Sequence, residues 1–234
     1  MAAVIPGATL GPTLNGIATD VVSVLYDDPS LALNTYTLTS VATDGSSAVV
    51  DSRIPITTAG TAVAAGDLIL FSNAVGYAIQ QVTRVSGQTM YFDAGDSFGF
   101  NQRTATTGTI VKIKSGSSFP PTSAKRILMT TYYIDSVTVP AQPRLVRVTN
   151  FRAPQIVAAN IDNLQFSFDI VDGVTNPVNQ KTPVAPNSPS QVRGVNLFLT
   201  ARGTPLQRPT GPMVRNGLAT QVTLRSMSYQ DRYK

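Results

Sequence analysis

The sequence predicts a mainly β fold, α+β at most, with antiparallel sheets joined by long loops rich in proline and glycine. The 234 residues contain no Glu and only five Lys, so two strong helix formers are almost missing. The 17 Gly and 16 Pro are spread along the whole length and leave little room for long helices. Between them, apolar residues form short runs or alternate with polar residues, as is typical of strands.

The first hundred residues predict an irregular start followed by short strands. Residues 1–18 hold several Pro and Gly and the turn pair Asn15-Gly16, so we expect an extended initial segment. Residues 48–65 have mostly small side chains and show no pattern typical of a strand or a helix. Strands are predicted at 20–26, 34–42, 67–72, 77–85, 89–92 and, after a gap, 109–114.

The second half of the chain predicts longer strands. Residues 126–135 and 144–149 form a predicted hairpin, and 155–163 are predicted to form one or two helical turns. Four apolar positions alternate with polar ones between 164 and 171, which places one face of that strand in the core. Residues 174–190 are predicted to be a surface loop. The last two strands are predicted at 193–202 and 218–228, with Asn216-Gly217 as a type I′ turn pair.

The spacing of these elements predicts the domain organisation. We expect the extended segment at 1–18 and a single β-rich domain at 19–234. The compact cycle of short strands at about 62–116 indicates a small β meander or barrel inserted into the larger sheet. The chain is long enough to bury a core without metal or disulfide support.

The composition excludes most familiar catalytic chemistry. There is no His, Cys or Trp, so zinc fingers, Cys nucleophiles and His general bases are excluded. A Ser-Lys dyad of Ser123 and Lys125 is formally open, but Lys125 is followed by the cation Arg126 and is not expected to be desolvated. We therefore predict no catalytic residues and no enzyme activity.

Charge is divided unevenly along the chain. The net charge is −6 up to residue 100 and +11 from residue 101 onward. This division fits a nucleic-acid surface, or a subunit whose acidic end faces a basic end of its neighbour. The basic residues are mostly single and alternate with apolar ones, as at 144–148, which favours a solvated sheet face. No nucleic-acid partner is expected.

Aspartates near the predicted strand 164–171 are the main candidates for metal binding, beside the pair Asp27-Asp28 that follows another predicted strand. Asp162, Asp169 and Asp172 lie close together in sequence, with Asn160 and Asn163 nearby. Oxygen ligands of this kind suit calcium, and the same residue types are also selected by turns. We expect turn residues rather than a calcium site, and no cofactor.

Three segments near the C-terminus carry a family resemblance: 156–170 (IVAANIDNLQFSFDI), 192–202 (VRGVNLFLTAR) and 220–227 (TQVTLRSM). Over about 75 residues they resemble bacterial minor pilins and pseudopilins, in particular those related to PilW and the J-type secretion pseudopilins. The resemblance implies a strand core of Ile161, Leu164, Phe166, Phe168 and Ile170, and it implies no binding or catalytic residue.

The resemblance also implies a function. Such proteins have a long N-terminal helix, half in the inner membrane before assembly, that carries a β-rich head. The cleavage signal, apolar helix and early Glu of the family are missing from this sequence, so we expect the helix to have been removed or to belong to a separate helical subunit.

The expected role is a non-enzymatic, extracytoplasmic head, in the periplasm or a cell-surface filament, that decorates or caps a type IV pilus or a type II secretion pseudopilus. The expected partners are other pilin or pseudopilin subunits, with membrane contact only through the missing helix.

Two other classes of protein remain open at this point. A virion or surface-layer β protein shares the low charge, the absence of Cys and the Pro/Gly loops. An enzyme or nucleic-acid binder is the other class, and tight DNA binding with a steep salt dependence would support it; we do not expect such binding.

Overall fold

A computed structural model describes residues 3–28, 36–51, 63–102, 110–171, 178–183, 187–203 and 214–224. The fold is mainly β, as predicted, with antiparallel strand pairing throughout the described residues. Contacts divide the chain into two compact units. Unit 1 comprises Met1–Leu25, Thr130–Thr149 and Ala153–Lys234, and unit 2 comprises Tyr26–Met129 and Asn150–Arg152.

The described strands are numbered in chain order. They are β1 (Val4–Gly7), β2 (Thr13–Leu14), β3 (Ile17–Ala18), β4 (Val21–Asp27), β5 (Tyr36–Val41), β6 (Ser47–Val50), β7 (Leu68–Ser72), β8 (Tyr77–Gln81), β9 (Arg84–Ser86), β10 (Thr89–Tyr91), β11 (Ser123–Asp135), β12 (Arg144–Thr149), β13 (Gln155–Ala159), β14 (Ile161–Ile170), β15 (Val178–Gln180), β16 (Val192–Arg202) and β17 (Arg215–Thr223). Two short 3₁₀ helices lie at Ile110–Ile113 and Pro189–Gln191.

Unit 2 is built from hairpins around one apolar cluster. β7 and β8 form a hairpin, and β7 also pairs with residues 123–127 of β11. β10 pairs with both β6 and β9, and β6 pairs with β5. The cluster includes Phe71, Met90, Phe92 and Ile113. The predicted inserted subdomain at 62–116 falls within unit 2, and its boundaries stay a prediction.

Unit 1 contains two sets of strands that share one apolar cluster. β15, β14, β16 and β17 form a four-stranded antiparallel sheet in that order, here called the C-terminal sheet. The other set pairs β1 with β4, residues 130–135 of β11 with β12, and β12 with β13. Residues of both sets belong to the cluster. All five residues of the predicted strand core are at most 8% exposed: Ile161, Leu164, Phe166, Phe168 and Ile170.

The predicted helical turns at 155–163 are wrong. This segment forms β13 and the start of β14, and Asn160 between them adopts a left-handed φ of 59°. The reason is pairing: β12 supplies a partner strand for β13, and the Ile161 N–H donates to the Pro143 carbonyl over 2.9 Å. These hydrogen bonds pair the backbone N–H and C=O groups of this segment, which in a helix would pair with each other.

The predicted strand at 109–114 is also wrong where the structure describes it. Residues Ile110–Ile113 form a 3₁₀ helix, in which side chains three apart lie above one another. Ile110 and Ile113 are both buried in the unit 2 cluster, so the three-residue spacing of these isoleucines decides the conformation.

One predicted loop contains a strand, since β15 lies within the predicted surface loop at 174–190. The initial segment at 1–18, predicted to be extended, contains β1, β2 and β3, and β6 overlaps the start of the stretch 48–65, for which no element was predicted. Asn216 and Gly217 are not a turn but lie inside β17, opposite Ala201 and Thr200 of β16. In contrast, Asn15-Gly16 does join β2 to β3 with two positive φ angles, 51° and 78°.

Candidate functional site

The candidate site is an apolar cavity of about 320 Å³ in unit 1. The C-terminal sheet forms one wall, and β1, β4, β11 and β12 form the other. We call it the apolar groove. Its lining residues are aliphatic or aromatic: Val4, Val22, Val24, Tyr132, Leu145, Leu164, Phe166, Val195, Leu197, Leu199, Val222 and Leu224.

Strand alternation places these side chains in the groove. Val195, Leu197 and Leu199 are two residues apart on β16 and therefore share one face of the sheet. β17 continues that face, because Val222 pairs with Val195 and Leu218 pairs with Leu199. The sequence pattern of both strands thus produces one continuous apolar surface.

The groove is closed at one end and open at the other. Toward β15 the sheet is covered, and Phe168 and Ile170 are fully buried. Toward β17 the described residues leave the same face uncovered, with Leu218 57% and Val222 55% exposed. Apolar surface left in water is unfavourable by roughly 25 cal/mol per Å², so this end of the groove favours a partner.

Two buried carboxylates hold the wall of the groove in place. Asp20 accepts hydrogen bonds from the Phe166 N–H at 2.7 Å and from the Thr9 N–H at 2.8 Å. Asp162 accepts a hydrogen bond from Arg215 Nε at 2.8 Å. The first contact fixes β14 at the groove, and the second fixes the start of β17.

The opposite face of the C-terminal sheet is polar. Asp169 accepts hydrogen bonds from the side-chain amides of Asn179, Asn196 and Gln221, at 2.9, 2.9 and 2.6 Å. The two faces of one sheet therefore differ: one carries this hydrogen-bonded polar network together with the exposed Phe198, and the other is the apolar groove.

The calcium candidates take part in these networks. Asp162 and Asp169 bind different partners, and Asp172 lies outside the described residues. In the part of the chain that the structure describes, no group of three acidic side chains could hold a metal ion. The calcium site stays an untested hypothesis.

The β11–β12 hairpin contributes Tyr132 and Leu145 to the groove and is fixed by Asp135. Its carboxylate accepts hydrogen bonds from the Val137 and Thr138 N–H groups, both at 3.0 Å, and from Arg144 Nη2 at 2.7 Å. Hydrogen bonds from Thr138 and Arg144 favour the ionised carboxylate and hold the pKa of Asp135 well below its usual value.

Unit 2 holds a separate charged cluster. Arg126 binds Asp28 through Nε at 2.8 Å and Asp67 through Nη1 at 3.2 Å, and both carboxylates are buried. Asp67 also accepts a 2.7 Å hydrogen bond from Arg152. The sequence-derived Ser-Lys pair is not brought together by hydrogen bonds: Ser123 contacts Ser72, and Lys125 contacts Asp27.

Sequence reasoning predicted the strands of the groove other than β1, and it missed the groove itself. The signal was present in the alternation of Leu218, Val222 and Leu224. Alternation identifies an apolar face but does not say whether another element covers it.

Protein-family models, curated proteins and solved structures offer no match to this chain. Across the described residues, none of the helices has the length and apolar character of a membrane span.

Proposed function

We propose that this protein is a non-enzymatic structural subunit, the head of a minor pilin or pseudopilin. It assembles by seating an apolar helix of a pilin-type subunit in the apolar groove. The observation that supports this function most strongly is the uncovered apolar face of β16 and β17, which lies beside a closed core and opposite a polar face.

A helix suits the groove for a physical reason. β-sheets bury their apolar face against a second layer, and a helix presents an apolar stripe that matches such a face. With side chains, a helix is about 10 Å across, so it can lie over two adjacent strands about 4.8 Å apart. The lining residues offer only apolar contact, so packing rather than hydrogen bonding would select the partner.

A charge placed in the groove tests the proposal. In Leu224→Asp, a half-buried leucine of the groove becomes a carboxylate that helix binding would desolvate. Phe198→Asp is the matched control, because Phe198 is 43% exposed on the opposite face of the same sheet. The assay is co-purification with a detergent-solubilised pilin subunit that keeps its helix, together with incorporation into filaments.

We expect Leu224→Asp to lose binding by tenfold or more, roughly the effect of 1.4 kcal/mol, and Phe198→Asp to bind like the wild type. Thermal melts of both variants establish that they fold. Because the chain has no Cys, Leu224→Cys adds a unique thiol, which the bound helix should protect from maleimide. Equal binding by both charged variants would contradict the proposal, and so would closed shells formed by the purified protein alone.

A further inference from the structure

The second feature of the C-terminal sheet is the outer edge of β17. β17 pairs with β16 on one side, and in the described residues no strand pairs with its other side. It is nine residues long, and all nine are exposed. Its unpaired backbone therefore offers a template for another strand.

The direction of the backbone groups of β17 follows from its pairing with β16. The Leu224 N–H donates to the Arg193 carbonyl over 2.8 Å, and the Gly203 N–H donates to the Val214 carbonyl over 2.8 Å. Hydrogen-bonded positions alternate along an antiparallel pair, so even-numbered residues of β17 bind β16. The outward N–H and C=O groups belong to the odd-numbered residues: Arg215, Gly217, Ala219, Gln221 and Thr223.

This edge lacks the features that usually prevent strand addition. β17 contains no Pro and no Lys, and its pairing with β16 runs without a bulge. Its single charge, Arg215, lies at one end. β15, at the opposite edge of the same sheet, is only three residues long. Short strands, Lys, Pro and bulges are the ordinary protections of an edge, and β17 has none of them.

We propose that β17 pairs with β17 of a second copy of this chain, antiparallel and around a two-fold axis at Thr220. This register makes residues 219 and 221′ a hydrogen-bonded pair, and likewise 217 and 223′, where the prime denotes the second copy. Only outward-facing groups are used, so the pairing with β16 is kept.

The same register places apolar side chains of the two copies opposite each other. Leu218 lies directly opposite Val222′ on one face, and both are more than half exposed in the single chain. Cross-strand apolar pairs of this kind stabilise antiparallel sheets. Arg215 falls outside the paired stretch 217–223, so no charge opposes another within it. A second copy is favoured over an unrelated strand because the edge complements itself.

Backbone substitution tests the pairing. Ala219→Pro removes an outward N–H and leaves the hydrogen bonds to β16 intact, because Pro is tolerated where its nitrogen faces solvent. Ala219→Val keeps the N–H and is the control. In sedimentation, we expect the wild type and Ala219→Val to be dimers at high concentration and Ala219→Pro to be a folded monomer, as judged by circular dichroism.

Single cysteines test the register. In Thr220→Cys the two thiols lie opposite each other at the axis, and we expect a disulfide-linked dimer on mild oxidation. In Leu218→Cys the two thiols are four residues out of register, roughly 13 Å apart, beyond the reach of a disulfide. We expect the disulfide between two copies of Leu218→Cys to form at least about tenfold more slowly than that of Thr220→Cys.

The inference is overturned if the wild type is monomeric at every concentration, if Ala219→Pro dimerises as well as the wild type, or if Leu218→Cys links as fast as Thr220→Cys. These experiments use only the purified chain, and Leu224 lies outside the paired stretch. Failure of strand pairing is therefore distinct from failure of helix binding in the groove.

Discussion

At the scale of single residues, the buried charges of unit 2 should be sensitive to substitution. Arg126 lies between the buried carboxylates of Asp28 and Asp67. Replacing it by Ala leaves both carboxylates buried without their shared cation, which costs about 3–5 kcal/mol of unfolding free energy. Chemical denaturation of Arg126→Ala followed by circular dichroism measures this loss.

Arg152→Ala is the matched control for that prediction. Arg152 is 61% exposed, and after its removal Asp67 still accepts hydrogen bonds from Arg126 and the Ala64 N–H. Because the Arg152 guanidinium is largely solvated and Asp67 keeps two other donors, we expect a loss of about 1 kcal/mol or less. Equal losses in the two variants would show that burial of the carboxylates does not govern the effect.

At the scale of elements, the β11–β12 hairpin depends on one ionised carboxylate. The pKa of Asp135 is lowered in the folded state, so its stabilising effect is present above the usual Asp pKa and is lost as pH falls below that value. Asp135→Asn removes the charge but keeps the shape, and Arg144 loses its carboxylate partner. We expect a loss of about 1–2 kcal/mol at pH 7.

The pH dependence separates this explanation from a packing effect. Wild-type stability should fall toward that of Asp135→Asn as pH is lowered from 5 to about 2, because the Asp135 carboxylate of the unfolded chain takes up a proton at its ordinary pKa while that of the folded chain stays ionised. Thermal melts of both proteins across this range measure the difference. A constant difference at every pH would contradict the role of the charge.

Local patterns predicted some elements of this fold and failed for others for physical reasons. The alternation around Phe166 and Phe168 identified β14, because strand period and burial agree there. The segment 155–163 was misassigned because its spacing also fits a helix, and only pairing with β12 decides between the two. The candidate groove depends on which strands leave a face uncovered, and no local pattern carries that information.

At the scale of the whole molecule, we expect charged surfaces and apolar surfaces to make different kinds of contact. The acidic first hundred residues and the basic remainder favour electrostatic contacts between subunits. The apolar groove and the paired stretch of β17 carry no charge in their proposed contacts. Higher ionic strength should therefore weaken the electrostatic contacts and leave the apolar contacts unchanged.

Salt titration tests this division of roles. Between about 0.05 and 0.5 M NaCl the Debye length falls to a few ångströms, so contacts between the acidic and basic regions of neighbouring subunits should weaken. Pairing through β17 should be unchanged, since neither of its paired faces is charged. Light scattering of the wild type follows the larger assemblies, and oxidation of Thr220→Cys follows strand pairing. If both readouts fall together with salt, the strand contact is electrostatic, and the separation of charged from apolar contacts is wrong.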